Sequence, residues 1–242
     1  MSLKMIVPNF ILSISLFCLS FFLAWQISAT SDFLYSTWYE VLDLDETIVK
    51  YAPHNKHKVG FENSDKQQHI ELFSGIVNAI QKNGDGLRQL HYTDVKSNKT
   101  EALLTDAEVV HLQDVGHLVS KFKYVGVVGL VIAVIVFMLM HIKNISVSRF
   151  KRHLFGGVGI VLFIAIIIII VGPTRIFYLG HELIFPDNHQ WFFYYEDSLM
   201  STMMKAPVLF GPVACQLLLL TLLLWATCLY ALKQLQSRLK RA

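Results

Sequence analysis

The chain has 242 residues, 54% hydrophobic and only 16% charged, with a mean hydropathy of +0.47, which is too little charge for an ordinary soluble domain. Its formal charge of +3 collects at short connections between apolar runs, so it gives no support to a nucleic-acid surface. These features read as an integral membrane protein.

The first apolar run, 6–27, is long enough to span a bilayer and carries Trp25 at its outer rim, where aromatic residues anchor helices. Ala29 offers a small residue near a conceivable cleavage site, but the run is long for a signal peptide, so 1–29 is taken as a retained transmembrane helix. Cys18 follows Phe17 and not a small residue, which excludes a lipobox there.

Residues 30–122 read as a mainly helical extracytoplasmic domain. From 32 to 52, aromatic and aliphatic positions including Phe33, Tyr35, Tyr39, Leu44 and Ile48 suggest one amphipathic helix. That face either packs a core or forms an interfacial or substrate groove, with Tyr39 as its candidate binding residue. After a polar break, Ser64 precedes a helix over 65–82 that Asn83, Gly84, Asp85 and Gly86 stop. Residues 87–93 read as a short extended segment and 97–100 as a turn. His54, His57, His69 and His91 read as ordinary surface residues.

Thr105 followed three residues later by Glu108 is a capping-box signature. The apolar positions Val109, Val110, Leu112, Val115, Leu118 and Val119 then keep helical spacing, and no proline intervenes before Met140. One helix is therefore expected to start in water and finish within the second span, 123–142. Glu108, His111 and Asp114 share a neighbourhood on its first turns, while His117 rotates away.

A short connection, 143–153, carries Lys143, Arg149, Lys151 and Arg152 with no acid. The third span, 154–172, opens with Gly156, Gly157 and Gly159, which suit close helix approach better than phosphate binding. Residues 173–206 form an aromatic loop, the fourth span covers 207–232, and the tail 233–242 is again basic. The positive-inside rule puts both termini and the middle connection in the cytoplasm, with 30–122 and 173–206 outside. Cys18, Cys215 and Cys228 all fall within spans, so the outer parts have no disulfide framework.

The motifs exclude more chemistry than they name. His181-Glu182 begins like a zinc-protease motif, but Phe185 stands where the second histidine is required. No metal and no other cofactor is expected. There is no Gly-x-Ser-x-Gly elbow, and the cysteines lie within spans. Histidine acid–base chemistry remains, with His111 and His181 both expected near the outer membrane face. His189, beyond Pro186, is a weaker candidate. The alternative for either histidine is a hydrogen-bonding role at an interfacial helix end.

The segment Ala107-Glu108-Val109-Val110-His111-Leu112-Gln113-Asp114-Val115, together with His181, Phe185 and Trp191 at their spacing, resembles the DUF1461 family of integral membrane proteins. That family includes the lipoprotein intramolecular transacylases. The resemblance covers most of the chain, departing from the usual pattern at Leu112 and Gly180. It implies an all-α polytopic fold with four transmembrane helices, in the bacterial inner membrane, with an active site at the outer leaflet. The implied activity moves an acyl chain of a diacylated lipoprotein from the glyceryl ester to the N-terminal cysteine amino group. His111 and His181 would be catalytic, Asp114 and Glu108 supporting, and Tyr39, Phe185 and Trp191 substrate-binding. Membrane lipid and the lipoprotein are the expected partners. The alternatives are a non-catalytic protein binding an envelope lipid or protein, and an intramembrane lipid hydrolase.

Overall fold

In the computed structural model, which describes residues 3–147 and 150–241, the first apolar run is one helix, α1 (Leu3–Ala29). Arg149 and the side chains of Lys151, Arg152 and His153, read above as part of a basic connection, lie outside the described residues.

The amphipathic stretch that follows is not one helix. A 3-10 turn over Asp32–Leu34 leads into α2 (Tyr35–Val41) and then α3 (Leu44–Tyr51). The break falls at Asp43, whose φ of 49° is left-handed, a conformation that aspartate tolerates better than most residues. The break lets α2 bury Tyr35 and Tyr39 while α3 separately buries Leu44, Thr47 and Ile48. Helix α4 (Lys66–Ile80) is capped by Asp65, whose carboxylate accepts from the Gln68 N–H at 2.8 Å. It ends before Asn83, Gly84 and Gly86, all at positive φ.

The expected extended segment is β1 (His91–Asp94), preceded by a 3-10 turn over Leu87–Gln89. It pairs antiparallel with β2 (Lys99–Ala102), His91 opposite Ala102. The second strand has no apolar alternation to announce it. Helix α5 (Asp106–Ile142) runs unbroken for 37 residues, about 55 Å at 1.5 Å per residue. Then come α6 (Phe150–Val171), α7 (Pro173–Ile184), the short α8 (Leu199–Met203) and α9 (Phe210–Leu239).

Helices α1, α5 and α9 are each long and apolar enough to cross a membrane. The broken pair α6 and α7 passes the same test together, giving three spans or up to four among the described residues. With one two-stranded hairpin as its only described sheet, the chain is an all-α polytopic membrane protein.

The chain divides into two compact units. One comprises residues through Ile27, Phe122–Pro173 and those from Gln216. Leu12, Leu16, Ala133, Met140, Trp225 and Leu229 form its core. A Cβ at Gly129 would lie 2.8 Å from the Ser15 carbonyl, so glycine permits α5 to approach α1 closely. Of the three glycines that open the third span, Gly157 alone serves such packing, against Trp225. Gly156 and Gly159 meet nothing within 4 Å. Ile169 and Ile170 are each 77% exposed, as expected of side chains that face lipid.

The other unit comprises Ser28–Lys121 and Thr174–Cys215. Tyr35 stacks on Phe73 at 4.0 Å, and its hydroxyl donates to the Met203 carbonyl at 2.9 Å. His69 is buried here and is not a surface residue. The Ser64 hydroxyl donates to the Phe61 carbonyl and therefore accepts from His69 Nε2, while the Tyr39 hydroxyl donates to His69 Nδ1 at 2.9 Å. Every member of that chain is satisfied, which suits a structural network. Burial holds His69 down to about 4 and pushes Tyr39 up to about 12.

Candidate active site

Both expected catalytic histidines, with their aromatic neighbours, lie within this second unit. The start of α5 is the anticipated capping box. The Thr105 N–H donates to Glu108 Oε2 at 2.5 Å, and the Glu108 N–H reaches back to Thr105 Oγ1 at 3.4 Å. Glu108 is fully buried, and its other oxygen accepts from the Ser198 hydroxyl. Ser198 in turn accepts from the Ser201 N–H at 2.8 Å, capping α8. Glu108 thus ties two helix starts together. Its oxygens go to Thr105 and Ser198, not to His111.

One turn along α5, His111 is only 9% exposed. Its ring meets Phe185 edge-on at 4.9 Å and lies 6.1 Å from Phe193. His181, on α7, comes within 6.1 Å of it, ring centre to ring centre. The rings of Phe177, Trp191 and Phe185 surround His181 at 4.0, 5.0 and 5.2 Å. Phe177 and His181 share a face of α7 because they are four residues apart. Residues separated by some 70 positions thereby form one aromatic chamber with two imidazoles facing each other.

Hydrogen bonding fixes one tautomer. His181 Nδ1 lies 2.8 Å from the Phe177 carbonyl, which can only accept, so Nδ1 carries the proton. In the neutral ring Nε2 is then a free base. The His111 ring has no hydrogen-bond partner among the described residues. Burial pulls its proton affinity down to about 4, with the neighbouring His181 acting in the same direction and Asp114 against both. His181 is also lowered, by burial first, with the Phe177 carbonyl opposing. Burial thus favours the neutral form of both rings.

Asp114, the expected orienting acid, turns elsewhere: it accepts from His189 Nδ1 at 2.6 Å. The turn that carries His189 is set by the Phe185 N–H on the His181 carbonyl and the His189 N–H on the Pro186 carbonyl. The sequence reading undervalued His189 because Pro186 takes it off the axis of α7. Its partner stands 75 residues away, where no local pattern points. Ser198 was likewise not legible as a site neighbour. His117 is exposed and turned away, as helical rotation requires.

Phe185 and Trp191 line the chamber, whereas Tyr39 is not part of it, its hydroxyl being committed to His69. Among the described residues no three His, Cys, Asp or Glu side chains converge as a metal-binding set. The chamber offers two imidazoles able to accept and return protons, His111 buried and His181 half-buried among aromatic rings.

No curated protein matches the sequence. The structure is similar to that of the membrane-integral lipoprotein intramolecular transacylase Lit from Bacillus cereus, with a TM-score of 0.67 and 20% identity. The match covers 97% of this chain and 96% of that one. A variant of that protein with a histidine replaced by arginine matches at a TM-score of 0.67 and 18% identity, over 98% of this chain and 94% of that one. Another, with alanine at a histidine, matches at 0.67 and 20%, over 98% and 96%. At this identity the likeness speaks for the fold. The family model for the lipoprotein intramolecular transacylase Lit matches residues 10–206, and the chain belongs to that enzyme family.

Proposed function

We propose that the protein moves an acyl chain from the glyceryl ester of a diacylglyceryl-modified N-terminal cysteine onto the amino group of that same cysteine. The observation that carries this reading is the pair His111 and His181, 6.1 Å apart in an aromatic chamber. Such a transfer needs no enzyme nucleophile, because the substrate amine attacks the substrate carbonyl. The enzyme must bring the two together, a contribution of up to about 7–11 kcal/mol for well-oriented groups. It must also handle the amine proton and the charge on the carbonyl oxygen.

The tautomer of His181 suggests a division of labour. With Nδ1–H committed to the Phe177 carbonyl, Nε2 is the atom available to take the proton from the attacking nitrogen and return it to the departing glyceryl oxygen. His111, whose ring has no competing hydrogen bond among the described residues, can donate to the carbonyl oxygen as charge builds there. Phe185, Trp191 and Phe193 suit the acyl chain and exclude water that would otherwise hydrolyse the ester. In this reading the substrate is a bacterial diacylated lipoprotein, the site opens at the outer leaflet of the inner membrane, and both termini are cytoplasmic. The basic connection and tail support that orientation.

The test is co-expression with a diacylated lipoprotein, followed by mass spectrometry of its N-terminal peptide. The native chain yields an N-acylated, mono-acylglyceryl terminus. The His111→Ala, His181→Ala double variant leaves both acyl chains on the glycerol. N-acylation that persists in the double variant removes the assignment. A lyso product without N-acylation identifies a hydrolase instead.

A further inference from the structure

The proposed chemistry does not conserve protons within the chamber. At neutral pH an α-amino group is largely ammonium, since its ordinary pKa is about 7.7–8.0. When it is acylated, the N–C bond forms and the C–O bond to glycerol breaks. The nitrogen loses two protons. One goes to the glyceryl oxygen, which leaves as an alcohol, and the other is left over at each turnover. Neither chamber histidine is suited to keep it, because burial disfavours the imidazolium of both.

We propose that the Asp114–His189 pair is the proton outlet of this site: His189 takes up the surplus proton and releases it to solvent. This rests on the function proposed above. Three observations support it. First, the pair belongs to the same structure as the chamber. Asp114 lies one turn from His111 on α5, and in the chain His189 falls between Phe185 and Trp191, which pack on the two catalytic rings. Second, the bond is oriented. His189 Nδ1–H donates to Asp114 at 2.6 Å, so Nε2 carries the lone pair and is the atom open to a proton. Third, the pair is more open to solvent than His111, which is 9% exposed as a residue, whereas the Asp114 and His189 side chains are 19% and 32% exposed.

Within two turns of Asp114 on α5 the titratable groups are Glu108, His111, His117 and Lys121. Arg175, Tyr178, His181 and Glu182 lie on α7, and Asp187 shares the turn of His189. Asp114 is the one whose carboxylate His189 bonds.

The test is a pH profile of the purified full-length enzyme in nanodiscs, acting on a synthetic diacylglyceryl-cysteine lipopeptide, with the acyl position read by mass spectrometry. His189→Gln keeps an amide in place of the ring but cannot hold a proton. Its rate falls about tenfold or more below the native rate at pH 6.5, where the substrate is ammonium. It recovers to within about threefold at pH 9.5, where the amine is neutral and no surplus proton arises. Asp114→Asn, which removes the charge and keeps an acceptor, follows the same trend and decides the matter should His189→Gln fail to fold. A loss equal at both pH values marks a structural tie and overturns the proposal, as does an unchanged profile. A native enzyme that forms no N-acyl product removes the proposed function itself, and that outcome is recognised before any variant is made.

Discussion

An imidazole buried without a charged partner shifts where a fold is stable, and among the described residues His69 and His111 are two such rings. Both are held down to about 4 by burial, from 6.5. Between those values the unfolded chain binds protons that the native fold refuses, so stability rises with pH across that window and is lost as pH falls through it. Each ring contributes at most about 3 kcal/mol of that dependence. Thermal unfolding in detergent is therefore expected to show Tm falling between pH 7 and pH 4.5, with a shallower slope in His111→Gln. A Tm that holds steady or rises on acidification contradicts the burial of these rings. Individual residues were unequally legible in the sequence. Glu108 and His111 could be read because Thr105, Glu108 and His111 follow one another at helical spacing. The partners they found, Ser198 and the aromatic rings, come from segments joined only in the fold. Asp114 shows the limit: its helical position was clear, but the residue that bonds it stands 75 positions on, beyond a proline.

Elements were legible where one residue's chemistry dictates the backbone. The α5 cap, the stop at Asn83 to Gly86 and the proline-free run into the second span all follow from local sequence. The hairpin strand β2 and the break at Asp43 were not, because both are set by what the neighbouring faces bury. Gly116 is a further case that tertiary contact decides. Its α5 position faces the turn after α4, where an added Cβ would lie 2.9 Å from Asn83 Cα and 3.0 Å from the Asn83 carbonyl carbon. These are backbone atoms of a left-handed residue whose side chain also accepts from the Ser120 hydroxyl at 2.5 Å, so the turn cannot easily withdraw. Helix propensity favours Gly→Ala by about 1 kcal/mol, whereas forcing an atom into a packed contact costs about 1–3 kcal/mol. Gly116→Ala is expected to lower stability by up to roughly 2 kcal/mol. Gly156→Ala, with nothing within 4 Å, serves as the comparison and is expected to lose nothing. Equal Tm values for the two variants would show that the turn yields.

At the scale of the whole molecule, one helix joins membrane-spanning sequence to candidate-site sequence. Helix α5 carries the capping box and His111 in its first turns and enough apolar residues to cross a bilayer thereafter. A hydrocarbon core of about 30 Å leaves roughly 25 Å of this helix for the second unit. On the proposed function, the ester must be presented to the chamber histidines while water is kept from it. Water and the substrate amine compete for one carbonyl. On the proposed function the chamber rings bias that competition, since Phe185 and Trp191 pack directly on His111 and His181. Trp191→Ala opens the side of His181 and admits water where the proton is handled. Two effects are expected together. N-acylation falls about 10- to 100-fold through lost positioning, and free fatty acid appears with a lyso-glyceryl terminus that keeps its free amine. The same lipopeptide assay measures both products. Free fatty acid in place of amide shows that the rings act by exclusion. A slower but still clean transacylation shows that they act by positioning alone, and water is then kept out by the close approach of the substrate's own amine.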